Sequence, residues 1–99
     1  MPIKDDSNFI WIVDYEAYLE PNVYYYFGRV PQLYISFAVP KDTSVINEYI
    51  CEFTSESNGC TLSLPGNIKW ANGISPDIEP DTTYQLSVVN NLGVITKFS

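Results

Sequence analysis

Histidine is absent from this sequence of 99 residues, and its only cysteines are Cys51 and Cys60. Without histidine a Ser-His-Asp triad cannot form, and no base suggests itself that would activate either thiol as a nucleophile. Zinc sites draw on sets of cysteine and histidine, so two cysteines alone exclude them in practice. We therefore expect a protein that is not an enzyme, with no catalytic residue, no metal and no cofactor.

Acidic side chains could bind Ca²⁺ or hydrolyse a glycosidic bond, but we favour a solvated surface over both functions. Asp77, Glu79 and Asp81 alternate as Ca²⁺ ligands can, but they lack the glycine-spaced loop and the distal glutamate of an EF-hand. Other carboxylates, such as Glu48 and Glu52, could in principle hydrolyse a glycosidic bond, yet nothing in the sequence pairs any two of them. We interpret both groups as surface charge.

Basic side chains are scarce. Lysine and arginine occur only at Lys4, Arg29, Lys41, Lys69 and Lys97, and the net charge is −7. Scattered cations in this number cannot provide the basic surface that nucleic-acid phosphates require, nor the cluster that docks on anionic membrane. We expect neither partner, and we interpret the acidity as a source of solubility and of repulsion between copies.

Long apolar runs are missing as well. No stretch approaches the ~20 apolar residues that a membrane-spanning helix needs. The opening residues, MPIKDDSNF, lack the apolar region of a secretory signal. We expect a protein made and retained in a cytoplasm unless it leaves by lysis or as part of a particle.

The two cysteines are interpreted as buried, reduced thiols. If residues 55–59 close a hairpin, Thr54 lies opposite Cys60, and Cys51 lies about three positions further along the strand. At ~3.3 Å per residue, this offset exceeds the reach of a normal disulfide. A disulfide is the less favoured alternative.

Aromatic residues are abundant, with eight Tyr and five Phe against one Met, and this composition favours strands. About seven short strands with turn signals every ~8–12 residues predict an all-β domain, a small antiparallel β-sandwich or jelly-roll-like fold. Residues 1–8 are predicted to form an N-terminal docking arm and residues 9–99 the sandwich domain. The predicted strands cover residues 8–15, 22–30, 32–39, 44–55, 60–64, 83–90 and 93–98.

Three local features interrupt or connect these strands. Residues 16–21 are interpreted as a helical turn that stops at Pro21, which cannot donate a backbone hydrogen bond. Gly28 marks a bulge or a turn entry. Residues 64–83 are rich in proline and glycine, which predicts an irregular crossover that the Trp70 ring anchors.

Several predicted strands are apolar on both faces, which indicates a covered second face. In residues 22–30, Tyr24 and Tyr26 face opposite to Tyr25 and Phe27, so half of these rings should fill the core. Rings left outside can stack on sugars or anchor a protein interface, and we favour the interface. The candidate interface residues are Phe9, Trp11, Tyr24, Tyr25, Tyr26 and Trp70.

The closing hairpin allows two turns. A two-residue turn could use Asn90 and Asn91, since asparagine tolerates positive φ. We favour a three-residue turn that places Gly93 in the left-handed position, because it pairs Leu86 with Phe98 and gathers the apolar residues on one face.

The last forty or so residues resemble a C-terminal module of tailed-phage virion proteins. The matching pattern begins with Leu64-Pro65, followed by the run Lys69-Trp70-Ala71-Asn72-Gly73. It continues with Pro76, Glu79, the strand Thr83-Tyr84-Gln85-Leu86-Ser87 and the closing Val94-Ile95, and Tyr25-Tyr26-Phe27-Gly28 fits the opening of the same module. Proteins of this kind are head-fibre, tail-fibre and capsid-decoration proteins of phages of gut bacteria, crAss-like phages among them.

This resemblance implies a non-enzymatic virion protein made in the host bacterial cytoplasm. The favoured form is a head-fibre or capsid-decoration protein on the capsid surface, a homotrimer that contacts the major capsid protein or other virion proteins. The alternative is a carbohydrate-binding adhesin or a tail-fibre receptor-binding module that holds the particle to host or mucosal glycans. The module marks a structural role, so it supplies no catalytic residue.

Overall fold

The computed structural model describes residues 15–98, which form eight β-strands in two sheets. The strands are β1 (Glu16–Leu19), β2 (Tyr24–Val30), β3 (Gln32–Phe37), β4 (Glu48–Ser55), β5 (Thr61–Ser63), β6 (Lys69–Trp70), β7 (Thr83–Val89) and β8 (Leu92–Lys97). This part of the chain contains no helix. The predicted all-β sandwich class is confirmed.

Successive strands from β1 to β6 alternate between the sheets. One sheet has the order β1-β3-β5, and the other has the order β2-β4-β7-β8-β6. Because the chain returns to each sheet in the same direction, β1, β3 and β5 pair in parallel, and so do β2 and β4. Antiparallel pairing, which we predicted throughout, holds among residues 15–98 for β4 with β7 and β7 with β8.

Tight corners produce this winding. β2 passes to β3 through Pro31 alone, and proline suits such a break because it cannot continue a hydrogen-bonded ladder. The carbonyl of Pro31 accepts a hydrogen bond from the Thr61 amide at 3.1 Å, and the carbonyl of Tyr15 accepts one from the Tyr34 amide at 2.8 Å. The first bond ties the Pro31 corner to the start of β5, and the second ties the residue before β1 to β3.

The helical turn predicted for residues 16–21 is wrong, because β1 occupies Glu16–Leu19. Ala17 and Leu19 are buried while Glu16 and Tyr18 are exposed, which is the two-residue period of a strand. Four residues are too few for sequence periodicity to distinguish a strand from a helical turn. β1 ends at Leu19, before the predicted stop, and Pro21 lies in the turn that follows, where Asn22 has φ 64°.

The bulge predicted at Gly28 is confirmed. The register between β2 and β4 shifts between Tyr26 and Arg29, and Gly28 has φ 70°, which glycine adopts without steric cost. The extra residue reverses the alternation of the strand. Val30 is thereby buried together with Tyr25 and Phe27, although it lies an odd number of residues from both.

The core lies between the two sheets. The larger sheet contributes a run of aromatic and aliphatic side chains, of which Phe53 and Leu86 are almost fully buried, and the smaller sheet contributes Leu19 and Leu33. The other members of the buried cluster are Ala17, Tyr25, Phe27, Val30, Ile35, Cys51, Tyr84 and Val88. Alternation within each strand predicts most of these positions.

Ser55 closes the core at the end of β4. It is fully buried, its hydroxyl donates a hydrogen bond to the carbonyl of Glu79, and it accepts one from the Thr82 amide at 3.0 Å. Its own amide donates to the carbonyl of Thr82 at 2.9 Å. One serine therefore holds the segment before β7 against the end of β4.

The predicted hairpin across residues 55–59 is wrong, because β4 and β5 belong to different sheets. A tight turn with a bridge between Glu56 and Gly59 carries the chain across. Cys51 and Cys60 are free thiols, as predicted, but Cys60 is only half-buried. β4 also begins at Glu48 rather than at residue 44, so Val45, inside the predicted strand, lies outside the observed one and is exposed.

The closing hairpin uses the two-residue turn, so the favoured three-residue turn is wrong. Asn90 and Asn91 have φ values of 53° and 63°, the combination that matches the twist of a two-residue hairpin. Leu86 pairs with Ile95 rather than with Phe98. The predicted N-terminal arm and all but the last residue of the first predicted strand lie outside the described residues.

Candidate interaction surface

The Trp70 side chain is inserted beside the closing hairpin. β6 contributes only Lys69 and Trp70, which pair in parallel with Leu92 and Gly93 of β8. A Cβ atom on Gly93 would lie 3.2 Å from Cζ3 of the indole, so the missing side chain makes room for the ring. Trp70 is half-buried and packs against the core, which agrees with its predicted role as an anchor.

A groove runs along the indole. It encloses a cavity of about 150 Å³ between β8 and the loop that follows β6, and its lining is mainly apolar. Trp70, Ile74 and Pro76 form one wall, and Val94 and Ile95 form the other. We call this cavity the Trp70 groove.

Four exposed apolar side chains surround the groove or continue from it along β8. Ile74 is 70% exposed, Val94 is 50% exposed and Phe98 is 51% exposed, and Leu92 is similarly exposed. Leu92, Val94 and Phe98 share one side of β8 because they alternate along it. We call Ile74, Leu92, Val94 and Phe98 the β8 patch. The favoured three-residue turn did not predict it, because that turn pairs Phe98 with the buried Leu86.

Tyr24 and Tyr26 face opposite to Tyr25 and Phe27, as predicted, and they lie on the outer face of the larger sheet. Their rings stack with centroids 4.7 Å apart, and both residues are half-buried. The Tyr24 hydroxyl donates to Oε1 of Glu52 at 3.1 Å and accepts a hydrogen bond from Nε2 of Gln85 at 3.0 Å. Burial, reinforced by the negative charge of Glu52, raises the pKa of Tyr24 to about 12.

Tyr25 is a core residue rather than a surface residue. Its ring is buried and stacks on Phe27 with centroids 6.1 Å apart, while its hydroxyl accepts a hydrogen bond from the Glu20 amide at 3.0 Å. A partner cannot reach this ring in the folded domain. Of the other candidate interface residues, Phe9 and Trp11 lie outside the described residues.

The acidic run of residues 77–81 forms ion pairs. Oε1 of Glu79 accepts a hydrogen bond from Nζ of Lys97 at 2.7 Å, and Oδ1 of Asp81 lies 2.6 Å from the Arg29 guanidinium. Two of the three carboxylates are therefore compensated by cations, and Asp77 has no ion pair among residues 15–98. Across the same residues, no cluster of His, Cys, Asp and Glu is arranged to hold a metal ion.

Another exposed apolar group, separate from the β8 patch, lies in the loop before β4. Val39 and Ile46 are strongly exposed, although the loop itself is well hydrogen-bonded. The Ser44 hydroxyl donates to Oδ1 of Asp42 at 2.6 Å, which with the Ser44 amide lowers the pKa of that carboxyl, and Asn47 donates to the Asp42 carbonyl at 2.8 Å. The loop thus holds its aliphatic side chains toward solvent.

Within residues 15–98, no helix is long and apolar enough to cross a membrane. Comparisons of this chain with protein-family models, with curated proteins and with solved structures find no match.

Proposed function

We propose that this chain is a non-enzymatic structural protein of a tailed-phage particle, a head-fibre or capsid-decoration protein on the capsid exterior. The observation that carries the proposal is the β8 patch beside the Trp70 groove. Exposed apolar side chains grouped on a strand face mark protein interfaces more often than solvated surface. The patch also falls within the residues that resemble phage virion modules, and these two observations are independent.

The same patch supports self-association as a homotrimer. Val94 and Phe98 lie on the outer side of a sheet whose inner side is already packed, and no other strand among residues 15–98 covers them, which leaves them available to another subunit. An aspartate in place of Val94 places a charge in the centre of the patch, which we expect to dissociate the oligomer. Thr61→Asp is the matched control, because Thr61 is also exposed but lies in the smaller sheet.

Cryo-EM of purified particles tests the location. The proposal expects density for this domain on the capsid exterior, in threefold clusters, with the β8 patch at contacts between subunits or with the major capsid protein. A particle that lacks the chain, or that carries it at the tail tip, contradicts the proposal.

Sedimentation velocity of the purified protein tests the oligomer. The wild-type chain and Thr61→Asp should sediment as trimers, and Val94→Asp should sediment as a monomer with an unchanged circular dichroism spectrum. A wild-type chain that is monomeric at micromolar concentration excludes self-association as the basis of its function.

A second candidate function is carbohydrate binding, as an adhesin or receptor-binding module. The observation that favours it is the stacked pair of Tyr24 and Tyr26 beside the carboxylate of Glu52 and the amide of Gln85. Aromatic faces next to polar groups suit sugar rings. A glycan array with the wild-type chain and with Tyr26→Ala tests it; signals that disappear in the variant support the function, and an array without signals removes it.

A further inference from the structure

β8 is paired along its whole length on one side but only at its start on the other. β7 pairs with every residue from Leu92 to Lys97, whereas β6 pairs only with Leu92 and Gly93. Within residues 15–98, no other strand lies beside β8. Within this described part of the chain, the second half of β8 is therefore an open sheet edge.

The backbone groups on this edge can be assigned from the ladder. In an antiparallel pair, the amides of successive residues point alternately toward and away from the partner. The Phe98 amide donates to the Thr83 carbonyl at 2.8 Å, while the Gly93 carbonyl accepts from the Ala71 amide at 2.9 Å on the opposite side. The N–H and C=O groups of Ile95 and Lys97 consequently point to the open edge.

The Trp70 groove lies directly beside this edge because the chain turns away after β6. The Gly73 amide donates to the Trp70 carbonyl at 2.9 Å, and Gly73 has φ 78°, so a turn directs the chain away from β8. The loop then passes Ile74 and Pro76, which wall the groove opposite Ile95. The cavity of about 150 Å³ has room for one aliphatic side chain beside Val94 and Ile95.

We propose that the open edge of β8 binds an extended peptide segment of another virion protein as an added strand. The segment continues the line of β6, its backbone pairs with the N–H and C=O groups of Ile95 and Lys97, and one apolar side chain enters the Trp70 groove. Strand addition of this kind takes its affinity from backbone hydrogen bonds and its specificity from side-chain pockets. That the segment belongs to a virion protein rests on the proposed function, whereas the strand addition itself does not.

Charge favours a peptide over a second copy of this chain. A second copy would bring its own net charge of −7 to the edge, and like charges repel. A single extended segment need not carry that charge. The net charge of −7 further selects segments without acidic residues.

The test uses the full chain as bait against random dodecapeptides displayed on yeast. We expect enrichment of sequences with apolar residues at alternate positions and without Asp or Glu. With a synthetic peptide of the most enriched sequence, hydrogen exchange of the Ile95 and Lys97 amides should slow at least about tenfold.

Two variants isolate the edge from the groove. Lys97→Pro removes an edge N–H without removing a bond to β7, so it should weaken binding of that peptide at least about tenfold. Lys97→Ala, which also loses the ion pair with Glu79, should bind like the wild-type chain. Ile74→Arg blocks the groove and should abolish binding. Because Ile74 is exposed, this variant should fold even if Lys97→Pro does not.

Absence of enrichment overturns the inference, and so does a peptide that binds Lys97→Pro and Ile74→Arg as tightly as the wild-type chain. Failure of the proposed function is distinguishable from this result. A chain that is absent from particles but selects strand-adding peptides contradicts only the particle role. A chain found on capsids without peptide binding contradicts only the strand addition.

Discussion

At the scale of single residues, one hydroxyl connects two parts of the chain that are distant in sequence. Ser55 bonds the carbonyl of Glu79 and the amide of Thr82 from a fully buried position. Ser55→Ala leaves these backbone groups without that partner, and we expect the free energy of unfolding to fall by about 1–3 kcal/mol. Urea denaturation measures the change, and the exposed Ser63→Ala is its control. Equal stability of the two variants would contradict this role.

The buried thiol of Cys51 makes stability depend on pH in the alkaline range. Burial raises the pKa of this thiol from 9.0 to about 12, so the folded chain keeps a proton that the unfolded chain releases. The stabilising contribution is complete below pH 9 and is lost as the pH rises toward 12. We expect the free energy of unfolding to decrease across this window, as measured by urea denaturation at successive pH values. Cys51→Val, which cannot ionise, should show a smaller decrease, and an identical decrease would exclude Cys51 as the cause.

At the scale of elements, the turn between β7 and β8 is the clearest target for stabilisation. Asn91 has φ 63°, a conformation that glycine adopts more readily than asparagine. We expect Asn91→Gly to raise the free energy of unfolding by about 0.5–1 kcal/mol and Asn91→Val to lower it by about 1 kcal/mol or more. Thermal unfolding with a fit to two states measures both changes. A stabilising valine at this position would contradict the turn.

Sequence patterns predicted those elements whose alternation is long enough to define a face. β2, β3 and β7 satisfy this condition, and the Gly28 bulge was marked by a glycine inside a strand pattern. The pairing partners were not predictable, because a tight corner such as Pro31 carries no signal for a hairpin or for a crossing to another sheet. Parallel pairs therefore replaced the expected antiparallel ones.

The candidate surface was predicted only in part, for a reason that is local. Trp70, Tyr24 and Tyr26 were identified from their residue types, whereas Tyr25 proved to be core. Val94 and Phe98 were expected on the same face as Leu86 because a three-residue turn was favoured. The observed two-residue turn pairs Leu86 with Ile95 instead, so Val94 and Phe98 lie on the opposite face. The choice of turn therefore decided which residues of β8 are exposed.

At the scale of the whole molecule, an acidic chain presents an apolar patch, and these two properties oppose each other in self-association. Copies that each carry a net charge of −7 repel one another, whereas contact between β8 patches buries apolar surface. Salt shortens the range of the repulsion to about 10 Å at 0.1 M and leaves the apolar contact in place. We therefore expect added sodium chloride to strengthen trimer formation in sedimentation equilibrium. An oligomer that weakens with salt would indicate an interface built on ion pairs.

The alternating winding also has a consequence for synthesis on the ribosome. All three strands of the smaller sheet emerge within residues 16–63, so that sheet can assemble while translation continues. β4 emerges in the same interval, but its antiparallel neighbour β7 begins only at Thr83. Until then Cys51 and Phe53 lack the strand that completes their sheet. We expect a nascent chain stalled between these points to expose an uncovered aromatic edge until the hairpin of β7 and β8 is added to the sheet.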